Sequence, residues 1–103
     1  MSERLFMTVL IYVAPGERET FAEYERRAMP VMAEHGGRAE CMMRPTAVAG
    51  DLALPDEVHV LSFETEDGFE RYRADPRVVA LAPLRERAIA RAIFMRGPPV
   101  PPY

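Results

Sequence analysis

The first apolar segment of the chain alternates in the manner of a β-strand. Residues Leu5 to Val13 are mostly apolar, β-branched or aromatic, which are the residue types that strands favour. Successive side chains of a strand point to opposite faces. Met7 and Val9 lie in one row and Leu10 and Tyr12 in the other, so both faces are largely apolar. One helical layer covers only one face, and we therefore expect a second subunit to cover the other.

A helix is predicted from Glu17 to Glu34. The Ala-Pro-Gly segment before it breaks the strand, and Gly36 and Gly37 end the helix. Pro30 lies inside the pattern and is expected to kink the helix or to restart it for one last turn. The stripe at helical spacing consists of Phe21, Tyr24, Ala28, either Val31 or Met32, and then His35.

Two further strands follow this helix. Residues Arg38 to Arg44 alternate and form the second predicted strand, and Val58 to Glu64 form the third. Residues Pro45 to Pro55 are predicted to connect them as a loop or hairpin. The row of the second strand that starts at Ala39 contains Ala39, Cys41 and Met43. We expect Cys41 to be a buried, inert thiol.

The rest of the chain contains helical segments and one last strand. Thr65 is suited to cap a second helix, and Asp75 followed by Pro76 opens a further helical segment. A short fourth strand is predicted from Ala92 to Met95. The final residues, 98–103, are rich in proline and are predicted to form an extended tail.

The order of elements is β-α-β-β-α-β, which is typical of the ferredoxin-like motif. The predicted fold class is therefore α+β, with a four-stranded antiparallel sheet and two helical segments on one of its faces. The 103 residues are enough for one domain and not for two. We expect a single domain over residues 1–97, followed by the proline-rich tail.

Composition narrows the class of partner. The formal charge is −3, and all 13 basic residues are arginine. The arginine bias is explained either by genomic base composition or by recognition of carboxylate and phosphate groups. The arginines are spread along the chain, so a nucleic-acid partner is disfavoured. The sequence shows neither a signal peptide pattern nor the run of about 18 apolar residues that a membrane span needs. Cys41 is the single cysteine, so no disulfide can form within the chain. The sequence therefore predicts a cytoplasmic protein and no membrane partner.

Five segments, in this order and spacing, resemble a bacterial family of the dimeric α/β-barrel superfamily, called domain of unknown function thirteen-thirty. They are His35-Gly36-Gly37-Arg38, Gly50-Asp51 followed by Pro55, Val60-Leu61-Ser62-Phe63, Tyr72 followed by Asp75-Pro76, and Leu81-Ala82-Pro83-Leu84-Arg85. The resemblance implies a homodimer, a dimeric α/β barrel in which two sheets meet face to face with the helices outside. It implies little about chemistry, because fold does not transfer function.

Two arginines are candidates for holding an anionic ligand. Arg85 lies where the family motif has its arginine and could bind a carboxylate bidentately. The alternative is an ion pair with a carboxylate such as Glu86 or Glu64. Arg44 is a similar candidate at the end of the second strand.

Three further residues are candidates for contact with a ligand. His59 could act as an acid, a base or a metal ligand if its strand face lines a pocket, or it could be structural. His35 could be a general base, or it could interact with the dipole at the end of its helix. Tyr12 could offer its phenol group to a ligand or belong to the core. The sequence contains no metal or cofactor motif that we could assign.

Two functional hypotheses remain open from the sequence. In the first, a cleft between sheet and helices binds or transforms a small apolar or carboxylated metabolite without a cofactor. In the second, the protein is a non-enzymatic dimeric subunit or accessory module with a packed interior. The residues leave open whether the protein is an enzyme.

Overall fold

The computed structural model describes residues 4–103. Its four strands are β1 (Leu5–Val13), β2 (Gly37–Met43), β3 (Glu57–Phe63) and β4 (Ile89–Gly97). Its four helices are α1 (Arg18–Glu34), α2 (Glu66–Ala74), α3 (Pro76–Val79) and α4 (Ala82–Ala88). Residues 98–103 contain neither helix nor strand.

The strands form one antiparallel sheet in the order β2-β3-β1-β4. The helices cover one face of this sheet, and the Cα atoms extend over 44 × 38 × 16 Å, as expected for two layers. The predicted α+β ferredoxin-like fold is confirmed. The boundaries differ mainly at β4, which is longer than the short strand predicted from Ala92 to Met95.

Local sequence signals explain where the helices begin. The Thr65 hydroxyl accepts a hydrogen bond from the Gly68 amide at 2.9 Å, and the Asp75 carboxylate accepts one from the Arg77 amide at 2.9 Å. Both side chains therefore satisfy amides that the first turn leaves unpaired. Helix α1 continues as one helix through Pro30.

The core lies between the sheet and the helices in two clusters. The first contains Met7, Met32, Phe63 and Phe69, and the second contains Ile11, Phe21 and Ala88. The end of α1 comes very close to the sheet at Gly37, where a Cβ atom would lie 2.5 Å from Met32 Cγ and 2.7 Å from the Phe63 ring. Only glycine therefore fits at the start of β2 without a shift of the core.

Strand β2 contains an irregularity that changes the direction of its side chains. Ala39 pairs with Leu61, but Cys41 pairs with Val60, so Glu40 is an extra residue in a β-bulge. The bulge moves Cys41 to the opposite face from Ala39, and its side chain is exposed. The expectation of a buried Cys41 was wrong because strict alternation across Glu40 does not hold.

None of the helices within residues 4–103 lies on the second face of the sheet, and we call it the open face. Thr8 pairs with both Val60 and Met95, which places one row from each of these strands on the same side. Met95 is 53% exposed, as is Met43 at the far edge. The apolar side chains of the open face are Phe6, Leu10, Tyr12, Met43, Val58, Val60, Ile93 and Met95.

Candidate functional site

A cleft of about 500 Å³ lies between the sheet and the helices. Its floor is the row of strand residues that faces the helices, and its walls come from all four helices. The apolar lining includes Met7, Val9, Met29, Leu61, Phe69 and Phe94. The polar and charged lining consists of Tyr24, Glu25, His59, Tyr72, Arg73 and Arg85. A mostly apolar hollow with a few convergent polar groups is the usual form of a small-molecule site.

Arg85 brings a positive charge to this cleft from helix α4. Its guanidinium lies close to the Tyr24 hydroxyl. Among residues 4–103, Arg85 forms no ion pair. The ion pair with Glu86 or Glu64 that the sequence left open as an alternative is therefore not formed. The five donors of a guanidinium are suited to a carboxylate or a phosphate.

Two tyrosine hydroxyls lie beside Arg85. Burial raises the pKa of the Tyr72 hydroxyl well above its ordinary value, with a further increase from Tyr24 and Glu25. Burial, followed by the charge of Glu25, also raises the pKa of Tyr24, and the Arg85 guanidinium opposes this increase. Both hydroxyls therefore remain protonated at neutral pH and can donate hydrogen bonds to a ligand.

His59 lies in the floor of the cleft and is only 3% exposed. Its Nε2 atom is 2.8 Å from Glu57 Oε1, two residues earlier on the same strand face. The other oxygen of that carboxylate, Oε2, is 3.4 Å from Arg44 Nε. Glu57 therefore stands between a buried imidazole and an exposed guanidinium.

Glu25 lines the cleft and brings a carboxyl group to it. Burial raises its pKa, while the charge of His59 lowers it and that of Glu57 raises it. These effects place Glu25 of α1 near the His59–Glu57 pair of β3. A carboxyl group in such surroundings holds its proton to a higher pH than an exposed one.

The candidate residues from the sequence fall in different parts of the molecule. Arg85 and His59 line the cleft, whereas Arg44 does not line it and instead pairs with Glu57. Tyr12 lies on the open face, where its hydroxyl donates to the Ala53 carbonyl at 2.7 Å. His35 caps the end of α1 and contacts Asp75 outside the cleft. Neither Tyr12 nor His35 can therefore contact a ligand in the cleft.

The sequence reasoning did not include Glu25 and Glu57 among the candidates. Glu25 follows Phe21 by four residues, which puts both on the same face of α1. Glu57 precedes His59 by two residues, which puts both on the same face of β3. These spacings are visible in the sequence. A glutamate beside an apolar row is normally assigned to the solvent-exposed border of that row, however, and not to a site.

A smaller depression of about 300 Å³ lies over the turn between β1 and α1. The Asp56 carboxylate in it already has partners, because it accepts hydrogen bonds from the Val13 amide at 2.8 Å and from Arg18 at 3.4 Å. Within residues 4–103, no cluster of three or more histidine, cysteine or acidic residues could hold a metal ion. Nor is any helix of this described part long and apolar enough to cross a membrane.

Comparison with known families identifies the chain's relatives. Residues 9–98 match the family Domain of unknown function (DUF1330), the same family that the five segments resemble. The chain belongs to this family. None of the curated proteins matches it.

Several solved structures share the fold of this chain at low sequence identity. A protein of unknown function from Rhodopseudomonas palustris is 19% identical with a TM-score of 0.85, over 99% of this chain and 86% of that one. A DABB family protein with a ferredoxin-like fold from Mesorhizobium loti is 14% identical with a TM-score of 0.70, over 97% and 100% of the two chains. A dimeric ferredoxin-like protein of unknown function from Thermobifida fusca is 13% identical with a TM-score of 0.68, over 95% and 92%. At these identities the likeness concerns the fold alone.

Proposed function

We propose that the cleft binds a small, largely apolar metabolite that carries a carboxylate, and that Arg85 holds the carboxylate. The observation that carries this proposal is the position of Arg85 at an apolar cleft with no ion-pair partner among residues 4–103. A structural arginine usually faces an acidic partner, as Arg77 does with Glu34 and Asp75. An arginine without one is available to a ligand.

The dimensions and lining of the cleft support the same class of ligand. Its volume of about 500 Å³ exceeds the roughly 300 Å³ that small-molecule sites need. Methionine side chains such as Met29 adapt to ligands of irregular shape. The Tyr24 and Tyr72 hydroxyls can add hydrogen bonds to a ligand oxygen near Arg85. The volume also counts against the alternative of a non-enzymatic module with a packed interior.

The proposal is tested with phenylbutyrate, an aryl chain that ends in a carboxylate, and with its neutral amide. Binding is measured by calorimetry and by amide chemical-shift changes in the protein. We expect the acid to perturb cleft residues and to bind at least roughly tenfold more tightly than the amide. Arg85→Met should remove that preference, and Arg85→Lys should restore part of it.

Arg26→Met is the matched control, because Arg26 is an exposed arginine that pairs with Glu23 on the outside of α1. It should bind the acid as the unmodified protein does. Equal affinity for acid and amide in the unmodified protein, or shift changes that lie outside the cleft, would contradict the proposal.

We also propose that the chain forms a homodimer through its open face. The open face presents apolar side chains from β1, β3 and β4, and exposed apolar patches of this kind usually mark interaction sites. The Thermobifida fusca protein of similar fold is described as dimeric. A second copy would bury the row of β1 that the helices leave uncovered.

A further inference from the structure

We propose that His59 is a proton acceptor for the molecule in the cleft, with Glu57 fixing its ring and Glu25 as a second proton-transfer group. This inference rests on the proposed binding function of the cleft and adds a reaction class to it. The ligand would carry a weakly acidic O–H group, such as a phenol or an enol, besides its carboxylate.

The geometry of the pair leaves one ring nitrogen of His59 for the ligand. Nε2 lies 2.8 Å from Glu57 Oε1 and donates its hydrogen to that carboxylate. In neutral imidazole the second nitrogen, Nδ1, then carries a lone pair and accepts a proton. Among residues 4–103, no side chain hydrogen-bonds to Nδ1, and the ring forms part of the cleft floor.

The surroundings hold the imidazole ring in one orientation. The Phe21 ring of α1 lies 6.2 Å from it, centroid to centroid, and Val9 is its register partner on β1. On the other side, Met42 of β2 is its register partner. A ring packed in this way has little freedom to rotate, so the hydrogen bond to Glu57 decides which nitrogen carries the hydrogen.

Two carboxyl groups and one guanidinium lie near His59. Glu57 comes from the same strand and Glu25 from α1. Arg44 contacts the far oxygen of Glu57 and is 76% exposed, so it lies at the solvent side of the pair. Arg44 is thus a positioning residue, since it holds the carboxylate that holds the imidazole.

The proposed step moves a single proton and requires no oxidant or reductant. The O–H bond of the ligand breaks, its electron pair stays on the ligand oxygen, and an N–H bond forms at His59 Nδ1. The resulting imidazolium is balanced by the Glu57 carboxylate. The anion that forms on the ligand lies in a cleft that also contains the Arg85 guanidinium. Glu25, whose environment favours its protonated form, can return a proton to another ligand atom.

The test uses para-nitrophenol, whose absorbance reports ionisation directly. Its spectrum is recorded with the full-length protein over a range of pH, and the apparent pKa of the bound probe is compared with that of the free probe. We expect the protein to lower this pKa. In His59→Gln the bound probe should ionise at a pH about one unit higher than in the unmodified protein, a tenfold change in ionisation. Glu57→Gln should produce a smaller change in the same direction.

His35→Gln serves as the control, because His35 lies outside the cleft, and it should leave the bound probe unchanged. Should His59→Gln fail to fold, nitrogen NMR of the unmodified protein decides the tautomer. A hydrogen on Nε2 and none on Nδ1 at neutral pH supports the proposal, and the reverse tautomer overturns it. Identical probe ionisation in folded His59→Gln also overturns it while leaving the binding function intact. Failure of both para-nitrophenol and phenylbutyrate to bind would instead remove the binding function on which it rests.

Discussion

The His35 imidazole lies 3.0 Å, from Nε2 to Oδ2, from the Asp75 carboxylate, although forty residues separate them in the chain. This contact joins the end of helix α1 to the start of α3. Arg77 strengthens it, because its guanidinium reaches Glu34 at 3.0 Å and Asp75 at 2.9 Å. The cluster therefore joins α1 to α3 through residues that do not line the cleft.

The carboxyl group of Asp75 should make the stability of the fold depend on acidic pH. Hydrogen bonds from Arg77 and then from His35 hold its pKa well below the ordinary value of 3.8. Because the folded pKa is lowered, this stabilisation is present above the ordinary value and is lost as pH falls below it. Asp75→Asn keeps a helix-capping side chain but removes the charge. We expect it to lower the urea midpoint at neutral pH.

The difference between Asp75→Asn and the unmodified protein should shrink as the pH is lowered below about 4. Asp51→Asn, in the exposed loop before β3, is the matched control and should show no such pH-dependent difference. An Asp75→Asn effect of the same size at all pH values would mean that the charge contributes nothing.

The buried hydroxyls of the cleft should titrate late in alkali. Burial raises the pKa of Tyr72 and of Tyr24 above the ordinary value of 10.0. Near-ultraviolet absorbance should therefore show a late phase of phenolate formation, and Tyr72→Phe should reduce its amplitude. Since the neutral form is favoured in the fold, the stability should fall as pH rises above 10. Tyr103→Phe, at the exposed chain end, should leave the late phase unchanged.

The close approach at Gly37 should make even a methyl group harmful. Gly37→Ala would place a Cβ atom 2.7 Å from the buried Phe63 ring, and we expect a loss of about 1–3 kcal/mol in the free energy of unfolding. Chemical denaturation measures this loss. Gly97→Ala, where a Cβ atom meets nothing within 4 Å, should change the stability by less than about 0.5 kcal/mol. Equal effects of the two substitutions would disprove the packing argument.

A charge at the centre of the open face should separate the proposed dimer. Val60 lies on β3 next to Thr8 of β1, and Val60→Arg would bury a guanidinium against a second copy. Light scattering after size exclusion should then give the mass of one chain, whereas the unmodified protein gives twice that mass. Val48→Arg, in the exposed loop after β2, is the matched control and should remain dimeric. If the unmodified protein is monomeric at all concentrations, the proposed dimer is refuted.

The sequence predicted the fold well where one local signal was enough. Strand β1 forms where both of its rows are apolar. Helices α2 and α3 begin at the predicted caps Thr65 and Asp75, and α1 ends before the two glycines. The residues of the candidate site were harder to predict from the sequence, because they come together only through the packing of separate helices and strands. Tyr12 and His59 both lie on central strands, yet they face opposite sides of the sheet. Glu25 comes to His59 only through the packing of α1 on β3.

The bulge at Glu40 has a consequence for comparing this chain with its relatives. A relative whose second strand has no bulge needs a one-residue gap at this position in any alignment. Without the gap, Cys41 and Met43 would be aligned with residues that face the helices, although here they lie on the other side of the sheet. Substitution patterns at these two positions would then be attributed to the wrong layer of the protein.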